Sequence, residues 1–162
     1  MIWVLLILLV LSACFAGVVF FGAPYLPTLT PQVKTALELG NLSKGQTLIE
    51  LGCGDGKVLI AAAERGARVV GYELNPILAL VAWGRTRRYG KRVRVVWGNF
   101  WWRKWPEADV IFTFLLPRYM EKLDKKCMQY DYKPVKLVSF AFEIPGKQPL
   151  RRKDSVFLYG YR

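Results

Sequence analysis

The most informative part of this chain is the stretch Thr47-Leu48-Ile49-Glu50-Leu51-Gly52-Cys53-Gly54-Asp55-Gly56-Lys57. Its first five residues predict a buried strand, and the alanine-rich run after Lys57 predicts a helix that ends near Gly66. The three glycines therefore lie in a strand-to-helix turn. Because glycine has no Cβ atom, this turn can adopt positive φ angles and lets a ligand approach the unpaired N–H groups of the helix.

A second carboxylate follows in the same pattern. Residues 68–73 predict another buried strand, which ends in Glu73. In a βαβ unit, an acidic residue roughly 20 residues beyond the glycine turn accepts hydrogen bonds from both hydroxyls of a ribose. The sequence therefore predicts a site for a cofactor that contains a nucleoside.

The charge of the glycine turn separates two classes of cofactor. A dinucleotide site has the spacing G-x-G-x-x-G, whereas this chain has G-x-G-x-G with Glu50 ahead of it. A carboxylate at that point repels a pyrophosphate and suits a cationic ligand. The stretch resembles the first motif of class I S-adenosylmethionine-dependent methyltransferases, D/E-x-G-x-G-x-G, whose second strand also ends in an acidic residue.

This resemblance implies a cofactor, S-adenosyl-L-methionine, and a set of residues around it. Glu50 is expected to face the amino-acid end of the cofactor and Glu73 its ribose. Asn99 stands where an acidic residue often contacts the adenine, and Cys53 is expected to pack beneath the cofactor instead of acting as a nucleophile. The complete predicted set is Glu50, Gly52, Cys53, Gly54, Gly56, Glu73, Leu74, Asn99 and Phe100.

Three further stretches narrow the resemblance. Residues 23–28 (Ala-Pro-Tyr-Leu-Pro-Thr), residues 71–76 (Gly-Tyr-Glu-Leu-Asn-Pro) and residues 116–118 (Leu-Pro-Arg) are similar to the small membrane-anchored protein-lysine methyltransferases related to the ATP synthase c-subunit lysine methyltransferase. The resemblance implies methylation of lysine on a membrane protein. Leu-Pro-Arg-Tyr at 116–119 replaces the Asn/Asp-Pro-Pro-Tyr box of enzymes that act on amides or bases, which argues against glutamine, adenine or cytosine as the target.

A lysine substrate needs an apolar pocket, because desolvation lowers the pKa of its ammonium group. Candidate pocket residues are Tyr25, Thr28, Pro117 and Tyr119, with Phe100, Trp101 and Trp102 as further walls. These aromatic residues and Trp105 could instead pack at a membrane interface, where aromatic side chains gather. No residue is identified as a general base, so the catalytic residues stay unassigned.

The N-terminal part of the chain has a different composition. Residues 2–21 carry no charge, and 14 of these 20 are Leu, Ile, Val or Phe, so a helix of about 30 Å would fit the hydrocarbon core of a bilayer. A lipoprotein cleavage box at 11–14 is the disfavoured alternative, because no basic residue precedes it and apolar residues continue beyond it. We predict a transmembrane anchor at 1–22, a connector with a short helix at 23–46, and a methyltransferase domain at 47–162.

The order of the predicted elements gives the fold class. Predicted strands are 47–51, 68–73, 93–97, 109–116, 135–142 and 155–161, and predicted helices are 31–39, 57–65, 76–89 and 118–129, with 143–154 irregular. Alternating strands and helices predict an α/β fold with a doubly wound, mostly parallel sheet. The resemblance implies a Rossmann-like methyltransferase fold, trimmed at its C-terminal end.

Composition excludes several chemistries and leaves partners open. The chain has no histidine, which excludes histidine-based catalytic triads and histidine-ligated zinc sites. Its three cysteines show neither a pairing pattern nor the spacing of zinc ligands. Every basic residue lies at or beyond Lys34, and the net charge is +12. By the positive-inside rule, the domain is expected to lie on the cytosolic or matrix-equivalent side of the membrane. The basic surface fits an anionic leaflet better than RNA, given the predicted anchor.

Alternative functions are a lipid or quinone-like small-molecule methyltransferase and a non-catalytic scaffold at the membrane.

Overall fold

A computed structural model describes residues 2–6, 9, 28–132 and 134–162. Its centre is a seven-stranded sheet in the order β3-β2-β1-β4-β5-β7-β6. The strands are β1 Thr47–Leu51, β2 Arg68–Glu73, β3 Val93–Trp97, β4 Val110–Thr113, β5 Val135–Phe140, β6 Arg151–Lys153 and β7 Val156–Tyr161. Strands β1 to β5 pair in parallel, β7 is antiparallel to β5, and β6 is antiparallel to β7. The mostly parallel Rossmann-like sheet is confirmed.

Helices cover both faces of this sheet. They are α1 Thr30–Leu39, α2 Lys57–Glu64, α3 Pro76–Thr86 and α4 Met120–Met128, and short 3-10 helices occur at Arg87–Arg92, Phe100–Trp102 and Pro117–Tyr119. Side chains alternate between the faces of a strand. In β1, Leu48 therefore packs with α1, α2 and α3 on one face, whereas Ile49 and Leu51 pack with α4 on the other.

The strand order predicts a ligand-binding crevice at the carboxyl ends of the parallel strands. From β1 the chain proceeds outward to β2 and β3, whereas β4, on the other side of β1, leads to β5. The carboxyl ends of β1 and β4 are therefore adjacent at a topological switch point, where ligands of open α/β sheets bind. The glycine turn after β1 lies at this point.

Several predicted boundaries are confirmed and others are wrong. Strands 47–51, 68–73 and 93–97 form as predicted. β4 ends at Thr113 instead of residue 116, because Leu51, its last partner on β1, lies opposite Thr113 and the glycine turn then leaves the sheet. β5 ends at Phe140 instead of residue 142, because Ala141 adopts a left-handed conformation with φ 69°.

The helices show similar differences. α3 ends at Thr86 instead of residue 89, where the Thr86 hydroxyl donates to the Ala82 carbonyl at 2.7 Å. α4 begins at Met120 instead of residue 118, because Pro117–Tyr119 forms a 3-10 helix. The fully described segment 141–150 contains no helix, as predicted.

The prediction of an irregular segment at 143–154 is wrong for its last part. Residues 151–153 form β6, which makes a hairpin with β7. Asp154 and Ser155 turn the chain with φ of 50° and 59°, the left-handed pair that a two-residue hairpin loop needs. The sequence has no Asn-Gly or Asp-Gly pair at this position that would have predicted the turn.

The predicted anchor at 1–22 lies mostly outside the described residues, of which 2–6 and 9 are helical. Within the part of the chain that the structure describes, no helix has the length and apolar character to cross a bilayer.

Candidate active site

The glycine turn after β1 is open at its first glycine and tightly packed at its last. Gly52, Gly54 and Gly56 have φ of 86°, 52° and 81°, the left-handed region predicted for them. A Cβ atom at Gly52 would meet no atom within 4 Å among the described residues, so the turn is open there. A Cβ atom at Gly56 would lie 3.2 Å from Ala82 of α3. Gly52 thus leaves room for a ligand, whereas Gly56 lets α2 and α3 pack closely.

Glu73, at the end of β2, is held by the turns on both sides of it. Its side chain is buried, and its two carboxylate oxygens accept hydrogen bonds from the backbone N–H groups of Gly54 and Asn75, each at 2.8 Å. Asn75 in turn caps α3, since its Oδ1 accepts from the N–H groups of Ile77 and Leu78 at 2.9 and 3.2 Å. Asn75 was not among the site residues predicted from the sequence. Its signal was an asparagine directly before Pro76, at the start of a helix.

Glu50 is buried in a different way. Only 4% of the residue is exposed, and its Oε2 atom has no hydrogen-bond partner within the described ranges. Burial, and then the carboxylates of Glu73 and Asp55, raise the pKa of Glu50 well above its usual range, while a backbone hydrogen bond from Leu59 opposes them. A buried carboxylate oxygen without a partner is costly. A positively charged group beside it would supply that partner, so the site fits a cationic cofactor such as S-adenosylmethionine.

Cys53 lies inside the turn and is not placed as a nucleophile. Burial first, and then the nearby Glu50 and Glu73 carboxylates, raise the pKa of the Cys53 thiol, which keeps it in the unreactive protonated form. A Cβ atom at Gly71 would lie 2.9 Å from that of Cys53. Cys53 therefore packs directly on β2.

The residues after β3 reach the same edge. The Gly98 N–H donates to the Glu73 carbonyl at 2.8 Å, which brings the following Asn99 and Phe100 close to Glu73. The Asn99 Oδ1 accepts the Trp101 N–H at 2.9 Å and so caps a short 3-10 helix. All nine predicted cofactor residues thus lie at or next to the carboxyl ends of three adjacent strands. Their binding of the cofactor stays a prediction.

The predicted substrate pocket is only partly assembled by the described residues. The Phe100 and Trp101 ring centroids lie 4.6 Å apart, and those of Trp101 and Tyr119 lie 6.1 Å apart, with the exposed Pro117 at the start of the turn that carries Tyr119. Trp102 is 85% exposed. Thr28 approaches from the opposite face, where its carbonyl accepts a hydrogen bond from the Lys57 ammonium at 3.1 Å. Tyr25 lies outside the described residues.

A second aromatic group was missed by the sequence analysis. Phe114, directly after β4, lies 4.7 Å from Phe140 and 6.3 Å from Phe142 between ring centroids. Phe114 and Phe142 were predicted to lie within strands. Because both strands end earlier, these rings meet at the carboxyl edge instead.

Comparisons with known proteins agree with this geometry. The family model described as the ANTKMT methyltransferase domain matches residues 50–151. A protein-lysine N-methyltransferase of Saccharolobus islandicus (strain REY15A) is 35% identical over 131 residues, which cover 78% of this chain and 81% of that protein. The lysine N-methyltransferase of the ATP synthase c-subunit from Xenopus laevis is 31% identical over 128 residues, and the match covers 78% of this chain and 56% of that longer protein.

A solved structure shows the same fold with the product of the cofactor bound. It is an RNA methyltransferase from Salinibacter ruber in complex with S-adenosyl-L-homocysteine, with a TM-score of 0.76 and 30% identity. The alignment covers 84% of this chain and 92% of that one. From the extent of the family match and the similarity to the Saccharolobus relative, we conclude that this chain belongs to the ANTKMT methyltransferase domain family and is an S-adenosylmethionine-dependent methyltransferase.

Proposed function

We propose that this methyltransferase modifies lysine side chains of membrane proteins while anchored in the same bilayer. The observation that carries the choice of lysine is the 35% identity to a relative named as a protein-lysine N-methyltransferase. The Xenopus relative is named for its action on the c-subunit of ATP synthase, a membrane-associated protein, which supports the choice of a membrane substrate.

Different residues of the crevice would bind different parts of the cofactor. Glu50 would face its positively charged amino-acid end, the glycine turn would let it approach the backbone, and Glu73 would accept from the ribose hydroxyls. When bound, the cofactor supplies an electrophilic methyl group on a sulfonium centre. The protein's own contribution is then to bind, orient and desolvate the acceptor, which is sufficient for a direct displacement.

A lysine acceptor must first lose a proton. Near neutral pH this costs about 4 to 5 kcal/mol for a free lysine side chain. Aromatic walls lower the pKa of an amine by desolvating its charged form. Two groups of rings lie near the carboxyl ends of the strands: Phe100, Trp101 and Tyr119 form one, and Phe114, Phe140 and Phe142 form the other.

Membrane anchorage is supported by the composition of the chain. Residues 2–21 carry no charge, and all 24 lysine and arginine residues lie beyond them. With this distribution, the N-terminal segment would span the bilayer and the domain would lie on the cytosolic or matrix-equivalent side. A lysine near the surface of a membrane protein would then be within reach of the crevice.

Transfer of a labelled methyl group to membranes tests this proposal. Full-length protein is incubated with radiolabelled S-adenosylmethionine and membranes from cells that lack it. Glu73→Ala serves as the blank and Glu64→Ala as the matched control, since the Glu64 side chain is 58% exposed on α2. We expect label in a protease-sensitive band, recovered as methyl-lysine after hydrolysis.

Other outcomes would redirect the assignment. Label that is extracted into organic solvent and resists protease would indicate a lipid or quinone-like substrate. Label that is removed by ribonuclease would indicate RNA, the substrate class in the name of the Salinibacter enzyme. Tight cofactor binding without any transfer would favour a non-catalytic scaffold.

A further inference from the structure

Helix α3 carries its large apolar side chains on the side that faces away from the protein. The residues that it buries against the domain are small: Ala79, Ala82 and Thr86. The large apolar residues are exposed, by 37% at Ile77, 65% at Leu80, 41% at Val81 and 55% at Trp83. A surface helix of a soluble domain normally shows the reverse arrangement. Within the described residues, nothing covers these side chains.

This surface continues onto the neighbouring edge strand. Trp97, the last residue of β3, is 64% exposed, and its indole N–H donates to the Leu74 carbonyl at 3.1 Å, just before α3 begins. We call this combined surface the α3 face. It consists of Ile77, Leu80, Val81, Trp83 and Trp97.

Cations border the α3 face where the helix ends. Exposed basic residues there are Arg85, Arg87, Arg88, Lys91 and Arg92. Two carboxylates partly balance them, since Arg85 pairs with Asp55 and Arg88 with Glu64. The border therefore keeps a net positive charge. Exposed tryptophan and aliphatic side chains with basic residues beside them are typical of surfaces that lie in the headgroup region of anionic bilayers.

The path of the chain places this face close to the predicted anchor. Thr28 is held at Lys57, the first residue of α2, by the hydrogen bond to the Lys57 ammonium. The adjacent Gly56 packs on Ala82 of α3. The chain therefore joins the domain beside α3. The link from residue 21 to Thr28 can extend at most about 25 Å, so an anchor that ends near residue 21 would keep α3 near the membrane.

We propose that the α3 face docks on the surface of an anionic bilayer as a second membrane contact. This inference rests on the proposed membrane anchorage and deepens it, because it fixes the orientation of the domain. Ile77 follows closely after Glu73, so docking brings the cofactor edge of the sheet next to the lipid surface. The crevice then opens where lysines of a membrane-embedded substrate emerge.

A fluorescent probe at position 80 of the full-length chain tests the docking. Cys14→Ser removes the one cysteine outside the described residues, and the remaining Cys53 and Cys127 are buried. An environment-sensitive dye is attached to Leu80→Cys, or to Leu150→Cys as the matched control. These leucines are 65% and 69% exposed, and Leu150 adjoins β6 at the far edge of the sheet.

Each protein is reconstituted into vesicles of phosphatidylcholine alone or mixed with phosphatidylserine, with nitroxide-labelled lipid as quencher. We expect quenching at position 80 in the anionic vesicles and none at position 150. Arg87→Gln should lower the ratio of docked to undocked protein about fivefold, the effect of one cation near an anionic surface.

The remaining outcomes separate the two proposals. Protein that floats with the vesicles while position 80 stays in water would overturn the docking and leave the anchor intact. Protein that does not float with either vesicle type would overturn both. A probe at position 80 that is shielded without vesicles would show that a second copy, or the N-terminal segment itself, covers the α3 face, which also overturns the docking.

Discussion

At the scale of single residues, the crevice contains two buried carboxylates that differ in their hydrogen bonding. Both oxygens of Glu73 accept backbone N–H groups, whereas Oε2 of Glu50 has no partner in the described part of the chain. The sequence predicted both carboxylates because each ends an apolar run. It could not predict how Glu73 is held, because that depends on the conformation of the Gly54 and Asn75 turns.

Glu50→Gln should stabilise the free protein and weaken its cofactor binding. Because the pKa of Glu50 is raised in the folded state, the folded chain binds this proton more tightly than the unfolded chain does. Stability is therefore lost as the pH rises from the ordinary glutamate pKa through the raised one. We expect Tm to rise by a few degrees at about pH 8 and by less at about pH 5.

Thermal unfolding with and without S-adenosylmethionine measures both effects. In Glu50→Gln the cofactor-induced rise in Tm should shrink. A variant with an unchanged or lower Tm and a full response to the cofactor would contradict the role assigned to Glu50.

Two alanine substitutions in the glycine turn should have different consequences. Gly52→Ala and Gly56→Ala both place an L residue in the left-handed region, at a cost of about 1 to 2 kcal/mol each. Gly56→Ala also crowds Ala82, whereas Gly52→Ala meets no described neighbour. We expect Gly56→Ala to lose more stability, and Gly52→Ala to lose more cofactor affinity for each degree of Tm lost. Equal effects of the two variants on stability and on binding would argue against this division of roles.

At the scale of elements, α3 is coupled to the site through its first turn. Asn75 caps the helix with its side chain and holds the Glu73 carboxylate with its backbone N–H. The apolar runs of β1, β2 and β3 made these strands predictable. β6, with the sequence Arg-Arg-Lys, has no apolar pattern, and it forms because β7 offers an open edge. The contacts among Phe114, Phe140 and Phe142 depend on where β4 and β5 end, which local sequence does not determine.

Asn75→Ala should lower stability and cofactor affinity together. The lost cap costs about 0.5 to 2 kcal/mol, and the loosened turn no longer positions the Glu73 carboxylate. Asn75→Ser is the matched control, because serine caps helices about as well as asparagine. Chemical denaturation and cofactor titration of both variants test this coupling. An Asn75→Ala variant that loses stability with unchanged cofactor affinity would show that the cap and the site are independent.

At the scale of the whole molecule, the charged domain follows the apolar N-terminal segment, and the α3 face lies near the point where the two join. The net charge of +12 belongs entirely to residues beyond the apolar N-terminal segment, and the α3 face lies where the chain enters the domain. Such a molecule is expected to work on an anionic surface with its cofactor edge close to the lipid. The sequence predicted the basic surface, but it did not predict the outward apolar side of α3, since the period of a helix does not tell which side packs.

Methylation of a membrane substrate should depend on salt only on anionic membranes. Between about 0.01 M and 1 M ionic strength, the screening length falls from roughly 30 Å to 3 Å, so we expect the rate in phosphatidylserine-containing proteoliposomes to fall several-fold. In phosphatidylcholine proteoliposomes, and for cofactor affinity in detergent, the change should be small. If the rate fell equally on both kinds of membrane, salt would be acting on the substrate or the crevice and not on docking to anionic lipid.

Calorimetric titration of the full-length protein with S-adenosylmethionine tests whether the carboxylates at the ends of β1 and β2 hold this cofactor. The native protein and Glu64→Ala should bind with the same affinity. Glu73→Ala should bind about 10- to 100-fold more weakly, as expected for hydrogen bonds to a charged group. Unchanged binding by Glu73→Ala, or no binding by the native protein, would contradict the site described for this chain.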